Sequence, residues 1–577
     1  MKVRFHASPV LDSRMPLWRA RLVFVVLMLG FASLAAKALY LQGLSNEFLQ
    51  RQGERRYERN VTLPATRGKI YDRTGTAVLA SSVPVRAIWA IPEDASALTD
   101  RQKQQLASLL GMSVADIDRR LSDRNRTFVY VRRQVDMDIA DKIQQLDLPG
   151  IHQEPEMRRV YPEAELTAHV LGFTDIEDIG IEGVELAFDR ALSGTPGSRR
   201  VIKDRLGRIV EDVQAIVPPV DGQDLYLSID ARIQFDLFTA LQRAVDENKA
   251  LAATGVVLDT QSGEVLALAN WPSYNPNDRQ DRQGAVLRNR AVTDTFEVGS
   301  ILKPFTAALA LDINRIDQTT LFETGNGRYR YKGNTISDVS KNGTITVADI
   351  LKRSSNIGMT MISERLSSEE MWSNFNRLGF GRAPQASFPG VAAGRLRPWE
   401  RWRPIERATM AYGYGLSTSL LQIAHAYTAL ARDGDMVSLS LLRRDGQAAS
   451  TPIYQPEIAR EVRVMLERAI GSDGTHLAQV AGYRAAGKSG TARKIVDGKY
   501  STHQYHSSYV GFAPVSDPRV VVAIMIDEPN AGAYYGGRVA APVFSEVTGK
   551  ALRRLGVEPD APLESLVAAG KGGDPLP

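Results

Sequence analysis

Two groups of strand-like segments enclose a long, mostly helical stretch of this chain, which begins at Ser300 and ends near residue 431. A hairpin is predicted over residues 254–259 and 264–270, and further strands are predicted at 485–495, 507–513 and 520–526. Strands on both sides of a helical insertion favour one antiparallel sheet with a helical subdomain packed against it. The sequence therefore predicts an α+β domain over residues 222–556, after a Pro/Gly-rich break at 217–222.

The N-terminal part of the chain contains an apolar segment of membrane-spanning length. Residues 22–36 are apolar or small, and residues 38–41 extend the segment to about the 20 residues that a membrane helix needs. Lys37 can reach the membrane interface through its long side chain. A cleaved signal peptide is the alternative, because residues 36–38 resemble a cleavage site. We predict a retained membrane helix over residues 22–42, and arginines on both sides of it leave its orientation open.

The segment between this helix and the α+β domain has no catalytic pattern. Residues 43–221 mix strand-like runs, such as 85–91 and 128–132, with polar helical pieces such as 100–110. We predict a second, small α+β domain here, with its charged side chains in solvent. At the other end of the chain, residues 557–577 are rich in Gly, Ala and Pro and are predicted to form a flexible tail.

The composition argues against several classes of site. The chain has no cysteine, which excludes disulfides and thiolate metal sites. Its 7 histidines are scattered, so we predict no metal and no cofactor, and we predict that His503 and His506 are solvated loop residues without a role. The formal net charge of +5 is spread along the chain and forms no basic stripe, so nucleic acid is not a predicted partner.

The helical stretch opens with a serine and a lysine three residues apart, Ser300 and Lys303. Pro304 is tolerated only in the first turn of a helix, and the Ala/Leu-rich run behind it predicts a helix buried on all sides. On one helix face the two groups can share a proton, and the positive helix N-terminus favours a serine alkoxide. The pattern predicts a serine nucleophile with a lysine base. The alternative is a capped core helix with a surface lysine, since this spacing arises by chance about once or twice in such a chain.

Two further motifs follow the first one in order. Ser354-Ser355-Asn356 lies between helical patterns, and Lys488-Ser489-Gly490-Thr491 opens a strand far downstream. Ser-x-x-Lys, Ser-x-Asn and Lys-Ser-Gly-Thr form the set found in penicillin-binding proteins and β-lactamases, with serine for threonine in the third motif. Taken singly, the second motif is also compatible with a helix cap and the third with a turn that leads into a strand.

The chain resembles the class B penicillin-binding proteins from about residue 20 to 555, and among them the division-specific peptidoglycan D,D-transpeptidases of the FtsI type. Besides the three motifs, the resemblance rests on residues 67–75, 274–277, 288–294, 413–416 and 534–537. The chain departs from the family where Val298 replaces the usual proline and where Ile301 and Leu302 replace a common Thr-Val pair. Neither departure removes a reactive group.

The resemblance implies catalytic roles for four residues. Ser300 attacks the carbonyl of the penultimate D-Ala in a stem peptide that ends in D-Ala-D-Ala, and Lys303 takes its proton. Ser354 relays that proton toward the departing D-alanine amine, and Asn356 offers an amide that holds the substrate backbone.

The resemblance also implies a substrate-binding strand. Lys488, Ser489 and Thr491 bind the terminal carboxylate of the substrate, and Gly490 lets the substrate add to the strand edge at close range. The backbone N–H groups of Ser300 and Thr491 form the oxyanion hole.

The family layout implies a cytoplasmic tail (1–21), a single helix (22–42) in the bacterial inner membrane and an elongated pedestal of the dimerisation type (43–221). A periplasmic transpeptidase domain (222–556) and the flexible tail (557–577) follow. The implied partners are the stem peptides, β-lactams as covalent inhibitors, an FtsW-type glycan polymerase and other division proteins.

Several other functions were weighed against septal transpeptidation. A secreted β-lactamase needs neither a membrane anchor nor a pedestal. A bifunctional glycosyltransferase would need a catalytic acidic cluster, which residues 43–221 lack. A β-lactam sensor or dead scaffold would not need the intact Ser300, Lys303, Asn356 and Lys488. The elongation-type sister enzyme is the closest alternative, and its family members usually carry Asp where this chain has Asn356.

Overall fold

The computed structural model describes residues 16–40, 58–203, 209–471 and 474–562. The chain divides into two compact units, of which the first comprises Met1–Ala65 with Thr195–Val220. The second comprises Thr66–Gly194 with Asp221–Pro577, so it holds most of the predicted pedestal together with the predicted transpeptidase domain. The predicted domain boundaries at residues 21, 42, 221 and 556 stay predictions.

Within the first unit, the helix Leu17–Leu39 begins before the predicted span and includes Arg19 and Arg21. Among the described helices it is the one long and apolar enough to cross a membrane, and none of its residues is buried. An apolar helix without protein contacts is suited to lipid, so it fits a single-pass membrane anchor. The same unit contains a three-stranded antiparallel sheet in the order Glu58–Leu63, Gly197–Lys203 and Ile209–Val217.

The N-terminal part of the second unit is an α+β layer. Its sheet has the order Val129–Val135, Val78–Ala90, Ile70–Tyr71 and Leu225–Tyr226, and Ile151–Val160 also pairs with Val78–Ala90. The helices are Pro92–Ala95, Asp100–Leu110, Val114–Leu121, Met137–Gln145, Ala168–Leu171, Gly183–Ala187 and Asp189–Leu192. Leu106 and Ile143 from the helices pack with Ile88 and Val131 from the strands in one core. Thr99 forms a capping box that begins the helix Asp100–Leu110 at its predicted residue.

Three charged residues of this layer are buried as an ion-paired cluster. Arg67 Nε and Arg159 Nε each donate to one carboxylate oxygen of Glu185 at 2.7 Å, and all three side chains are at most 2% exposed. The prediction of solvated charges is wrong for these residues. Removing an ion from water costs several kcal/mol, and a carboxylate that accepts from two guanidinium groups offsets this cost.

The C-terminal part of the second unit is built on a five-stranded antiparallel sheet. Its order is Val265–Trp271, Ala252–Asp259, Val520–Asp527, Lys499–Ala513 and Ala486–Val496, and we call the last strand the edge strand. Every residue of Ala252–Asp259 is buried because both faces of the sheet are covered. Val256 belongs to the core under the helical subdomain, whereas Val257 belongs to the core under Ala231–Asn248 and Ala541–Arg554. The predicted antiparallel sheet with a helical subdomain is confirmed.

The helical subdomain is formed by the residues between the strand Val265–Trp271 and the edge strand. Its longer helices are Lys303–Asp312, Val347–Lys352, Asn356–Glu364, Ser368–Arg377, Pro404–Met410, Leu420–Ala431 and Pro456–Arg468. Three small hairpins interrupt it: Leu321–Glu323 with Thr344–Thr346, Arg328–Tyr331 with Asn334–Ser337, and Asp435–Val437 with Ser450–Pro452. Short helices lie at Arg290–Thr293 and Gly536–Val539, and 3₁₀ turns at Ala164–Leu166, Gly284–Leu287, Gly299–Leu302, Trp399–Arg401 and His476–Ala478.

The structure bears on two local predictions, of which the one about the two histidines is wrong. His503 and His506 lie on the strand Lys499–Ala513, not in a loop, and burial lowers the pKa of His506 to about 4. The start of the predicted flexible tail is held in place, because Val557 O accepts from Tyr483 and Asp560 accepts from Ser516 Oγ at 2.8 Å. The remainder of that predicted tail lies outside the described residues.

Candidate active site

Ser300 lies in a 3₁₀ turn, Gly299–Leu302, that leads directly into the buried helix Lys303–Asp312. We call this segment the Ser300 turn. Gly299 has a φ of +58°, which a residue with a side chain rarely adopts, and Pro304 lies in the first turn of the helix as predicted. In 3₁₀ geometry, residues three apart are nearly eclipsed, so Ser300 and Lys303 project from the same side. Ser300 is half-buried, whereas Lys303 is fully buried.

The Ser300 turn is held from behind by two neighbouring segments. Gly299 N donates to Gly413 O at 3.0 Å, and a Cβ on Gly413 would lie 2.0 Å from Gly299 O. The buried Tyr427 hydroxyl donates to Ile301 O at 2.8 Å. Because these contacts leave no space for a shift of the turn, the position of Ser300 is set by its packing.

Lys303 reaches across the subdomain to the second motif. Its Nζ donates to Ser354 O at 2.5 Å and to Ser354 Oγ at 3.1 Å. Burial lowers the pKa of Lys303 well below its usual value, and the nearby charge of Lys488 lowers it further, while Asp338 acts in the opposite direction. The alternative interpretation, in which Lys303 is an ordinary surface lysine, is therefore excluded.

The second motif combines a helix cap with a side chain that faces Lys303. Ser355 caps the helix Asn356–Glu364, since its Oγ accepts from Gly358 N at 2.9 Å. Ser354 just before it has a φ of +58°, which turns its hydroxyl and carbonyl toward Lys303. Asn356 Nδ2 donates to Ser337 O at 3.3 Å. The cap and the site are thus formed by adjacent residues of one motif.

Asp338 is a functional candidate that sequence reasoning missed. Its Oδ1 accepts from Asn356 N at 2.6 Å and from Ile357 N at 3.0 Å, and its Oδ2 accepts from Ser355 Oγ. A carboxylate at a helix N-terminus is favoured by the helix dipole, so Asp338 fixes the start of the helix that carries Asn356. The sequence offers no signal for it, because it is one aspartate in a polar loop distant from every motif.

The third motif occupies the edge strand, and its side chains point to opposite faces. Lys488 and Gly490 are buried on the face toward the Ser300 turn, while Ser489 and Thr491 are half-buried on the other face. Lys488 Nζ donates to Ser489 O at 3.1 Å, and burial lowers its pKa to about 8. Lys488 therefore lies near enough to Lys303 for its charge to lower the pKa of Lys303, while its Nζ stays at the edge strand beside Ser489.

The absence of a side chain at Gly490 allows a close contact between two segments of the protein. A Cβ on Gly490 would lie 2.9 Å from Val298 O, 3.0 Å from Ile301 Cγ2 and 2.6 Å from Ser508 Oγ. The missing side chain therefore lets the Ser300 turn pack directly on the edge strand. Its predicted contact with the substrate stays a prediction.

A tyrosine-rich segment borders the outer face of the edge strand. Gly536 N donates to Thr491 Oγ1 at 3.0 Å, and Tyr534 stacks on Tyr505 with ring centroids 4.4 Å apart. Tyr535 stacks on Tyr534 at 4.5 Å and is 47% exposed.

No group of three or more metal-ligating side chains occurs among the described residues. The structure thus joins all three motifs in one cleft, while the individual roles of their residues stay predictions.

Two family models match this chain. The Penicillin binding protein transpeptidase domain matches residues 253–549, and the Penicillin-binding Protein dimerisation domain matches residues 62–227. The first match covers the sheet, the Ser300 turn and the edge strand.

Curated relatives match nearly the whole chain. The Neisseria gonorrhoeae protein named probable peptidoglycan D,D-transpeptidase PenA is 41% identical over 549 residues, which are 94% of this chain and 94% of that protein. Peptidoglycan D,D-transpeptidase FtsI of Escherichia coli is 39% identical over 555 residues, with 94% of this chain and 93% of that protein covered.

Solved structures resemble more than half of the chain. The transpeptidase domain of Burkholderia pseudomallei penicillin-binding protein 3 is 47% identical with a TM-score of 0.54, and the match covers 58% of this chain and 98% of that one. A peptidoglycan synthetase from Bifidobacterium adolescentis is 26% identical with a TM-score of 0.70, and the match covers 88% of this chain and 98% of that one.

Proposed function

Since the chain belongs to the penicillin-binding protein transpeptidase family and is a peptidoglycan D,D-transpeptidase, we propose that Ser300 is its acylated residue and that it cross-links the septal cell wall. The observation that carries the assignment is the fully buried Lys303, three residues from Ser300 and hydrogen-bonded to Ser354. In this proposal the Ser300 oxygen attacks the penultimate D-Ala carbonyl, the D-alanine amine departs, and an acceptor amine later takes the acyl group from Ser300.

The contacts of Lys303 suit a neutral amine that accepts a proton. A neutral amine has two N–H bonds and one lone pair, and Ser354 O and Oγ lie within reach of the two N–H bonds. The lone pair is then open to the Ser300 proton. Ser354, which touches Lys303 through its hydroxyl, can pass that proton to the leaving amine.

The substrate carboxylate is assigned to Lys488, Ser489 and Thr491, and the oxyanion to the N–H groups of Ser300 and Thr491. The supporting contact is the packing of the Ser300 turn on the edge strand, where a Cβ on Gly299 would lie 3.5 Å from Thr491 O. The closeness of the Ser300 turn to Thr491 supports the assignment of both N–H groups to one oxyanion hole. Loss of one oxyanion donor typically slows such a reaction by about 10²–10³.

Lys488→Ala is expected to slow acylation by a carboxylate-bearing β-lactam about ten- to a hundred-fold more than acylation by its carboxylate ester, because a charge-assisted contact is lost. The comparison removes the indirect effect of Lys488 on the pKa of Lys303, which is common to both compounds. With its pKa near 8, Lys488 loses its charge at higher pH, so the preference for the free carboxylate should fall above that pH. Stopped-flow acylation kinetics measure both effects, and Lys499→Ala is the control, because Lys499 is exposed at the start of the neighbouring strand. Equal slowing of both compounds would contradict the assignment.

The membrane placement and partners are assigned by likeness to the family. We place the helix Leu17–Leu39 in the inner membrane and the catalytic domain in the periplasm, where its substrate is assembled. An FtsW-type glycan polymerase and other division proteins are the proposed partners, and β-lactams are the proposed covalent inhibitors.

The septal assignment rests on Asn356 and on the FtsI relative, and it is tested by depletion in the host bacterium. Depletion is expected to give long filaments without septa, because elongation continues while septal cross-linking stops. Complementation with the wild-type gene should restore division, and Ser300→Ala should not. Rounded, swollen cells would instead show that the enzyme serves elongation.

A further inference from the structure

A second polar cavity, of about 260 Å³, lies in the second unit apart from the cleft described above. It is enclosed by the strand Ile151–Val160, by the neighbouring residues Gln134 and Thr174, and by the loop after Tyr274. Four arginines line it, Arg158, Arg159, Arg279 and Arg282, and Asp175 is the carboxylate among the lining residues. None of these residues has a part in the proposed reaction.

Arg159 lines this cavity and carries a buried hydrogen-bond donor without a partner among the described residues. Its side chain is 2% exposed and its Nε is paired with Glu185. Its Nη1 donates to Ser82 Oγ at 3.3 Å, whereas its buried Nη2 has no hydrogen-bond partner in the described part of the chain. A buried cation with an unmade hydrogen bond is unfavourable, so the charge of an anion in the cavity would stabilise the Arg159 guanidinium.

Two other arginines of the cavity have no carboxylate partner among the described residues. Arg282 donates to the carbonyls Pro276 O and Thr174 O, and its guanidinium lies 4.7 Å above the Phe173 ring. Burial lowers the pKa of Arg282, and the charge of Arg279 lowers it further. Arg279 is exposed and donates to Gln134 Oε1 at 3.0 Å.

The one carboxylate in the cavity lining is already engaged in hydrogen bonds. Asp175 Oδ1 accepts from the backbone N–H groups of Glu177 and Ile179. Among the lining arginines, Arg158 forms an ion pair with Asp136, which lies outside the buried cluster of Arg67, Arg159 and Glu185. The lining therefore carries more positive than negative charge at close range.

We propose that this cavity binds a phosphate or diphosphate group through Arg159, Arg279 and Arg282. Guanidinium groups present forked N–H donors that match phosphate oxygens, and the volume suits a group of this size. The charge of the bound anion would stabilise the buried Arg159 guanidinium and reduce the repulsion between Arg279 and Arg282. A soluble phosphate compound and a phospholipid headgroup share this chemistry, and this site goes beyond the proposed transpeptidation.

The test measures binding of inorganic pyrophosphate and of glycerophosphoglycerol to the full chain in detergent by isothermal titration calorimetry. Pyrophosphate represents a soluble source, and glycerophosphoglycerol, the deacylated form of phosphatidylglycerol, carries the headgroup of that lipid. Saturable binding of either compound is expected, and the tighter one identifies the source. Absence of saturable binding of both compounds would overturn the proposal.

Arg279→Gln is the diagnostic variant, because Arg279 is exposed and its loss leaves the buried cluster intact. It is expected to weaken binding about tenfold or more, while penicillin acylation stays unchanged. Arg468→Gln is the matched control, since Arg468 is an exposed arginine outside the cavity and should bind as the wild type does. Equal affinities of Arg279→Gln and wild type would overturn the proposal.

Discussion

Ser300→Ala is expected to abolish covalent labelling by a fluorescent penicillin while the protein stays folded. The variant lacks the one oxygen assigned to the acyl bond, and loss of a serine nucleophile costs about 10⁶ in kcat in a serine protease. Ser300 is half-buried at the cleft, so removing its hydroxyl leaves no large cavity in the core. Gel fluorescence measures the label, and peptide mapping of the wild type should place the adduct on Ser300.

Ser489→Ala is the matched control for this experiment, since it removes a half-buried hydroxyl from the edge strand on which the Ser300 turn packs. It should slow labelling without abolishing it. An adduct mapped to Ser354 or Ser489 would contradict the assignment of Ser300. Unchanged thermal unfolding of Ser300→Ala would show that the loss of label is chemical.

Lys303→Arg is expected to reduce the acylation rate by about 10²–10⁴, the usual contribution of a general base. Arginine keeps the positive charge but does not deprotonate in proteins, so it cannot accept the Ser300 proton. Lys303→Ala should be similarly slow, because it also lacks a base. Single-turnover acylation of the three proteins gives the rates directly, and Lys499→Arg on the surface is the control.

The pH dependence of the wild type follows from the lowered pKa of Lys303. Burial, and then Lys488, favour the neutral amine, so the base is protonated and inactive only below this lowered pKa. Acylation by a carboxylate ester should therefore rise with pH and level off well below ~10.4, the pKa of a free lysine. Substantial activity of Lys303→Arg, or a rise that begins only near the free-lysine pKa, would show that the base lies elsewhere.

The motif residues were predictable because their chemistry depends on local spacing. Ser300 and Lys303 are one helical turn apart, and the same short-range geometry made the helix Asp100–Leu110 and the sheet strands predictable. The Gly/Pro breaks and the alternation of apolar residues are local in the same way. These features hold whatever the rest of the chain does.

The environment of those residues was not predictable, because it is made by segments distant in sequence. The sequence predicts the buried helix that begins at Lys303, but the contact of Lys303 with Ser354 comes from the packing of segments distant in sequence. Asp338 had no motif, and its role follows from the place where a hairpin loop meets a helix start. Gly490 was expected to serve the substrate, whereas its missing Cβ makes room for the Ser300 turn.

The charged residues also show the difference between features set by local sequence and features set by the fold. Arg67, Arg159 and Glu185 looked like solvated residues, because nothing near each of them in sequence marks a buried partner. The sequence alone determined which reactive groups exist, their order, and the apolar helix Leu17–Leu39 that fits a membrane anchor. Only the tertiary structure decided which charges are buried, which are paired and which face the cleft, since electrostatic energies depend on distance and solvent access, and the fold alone sets both.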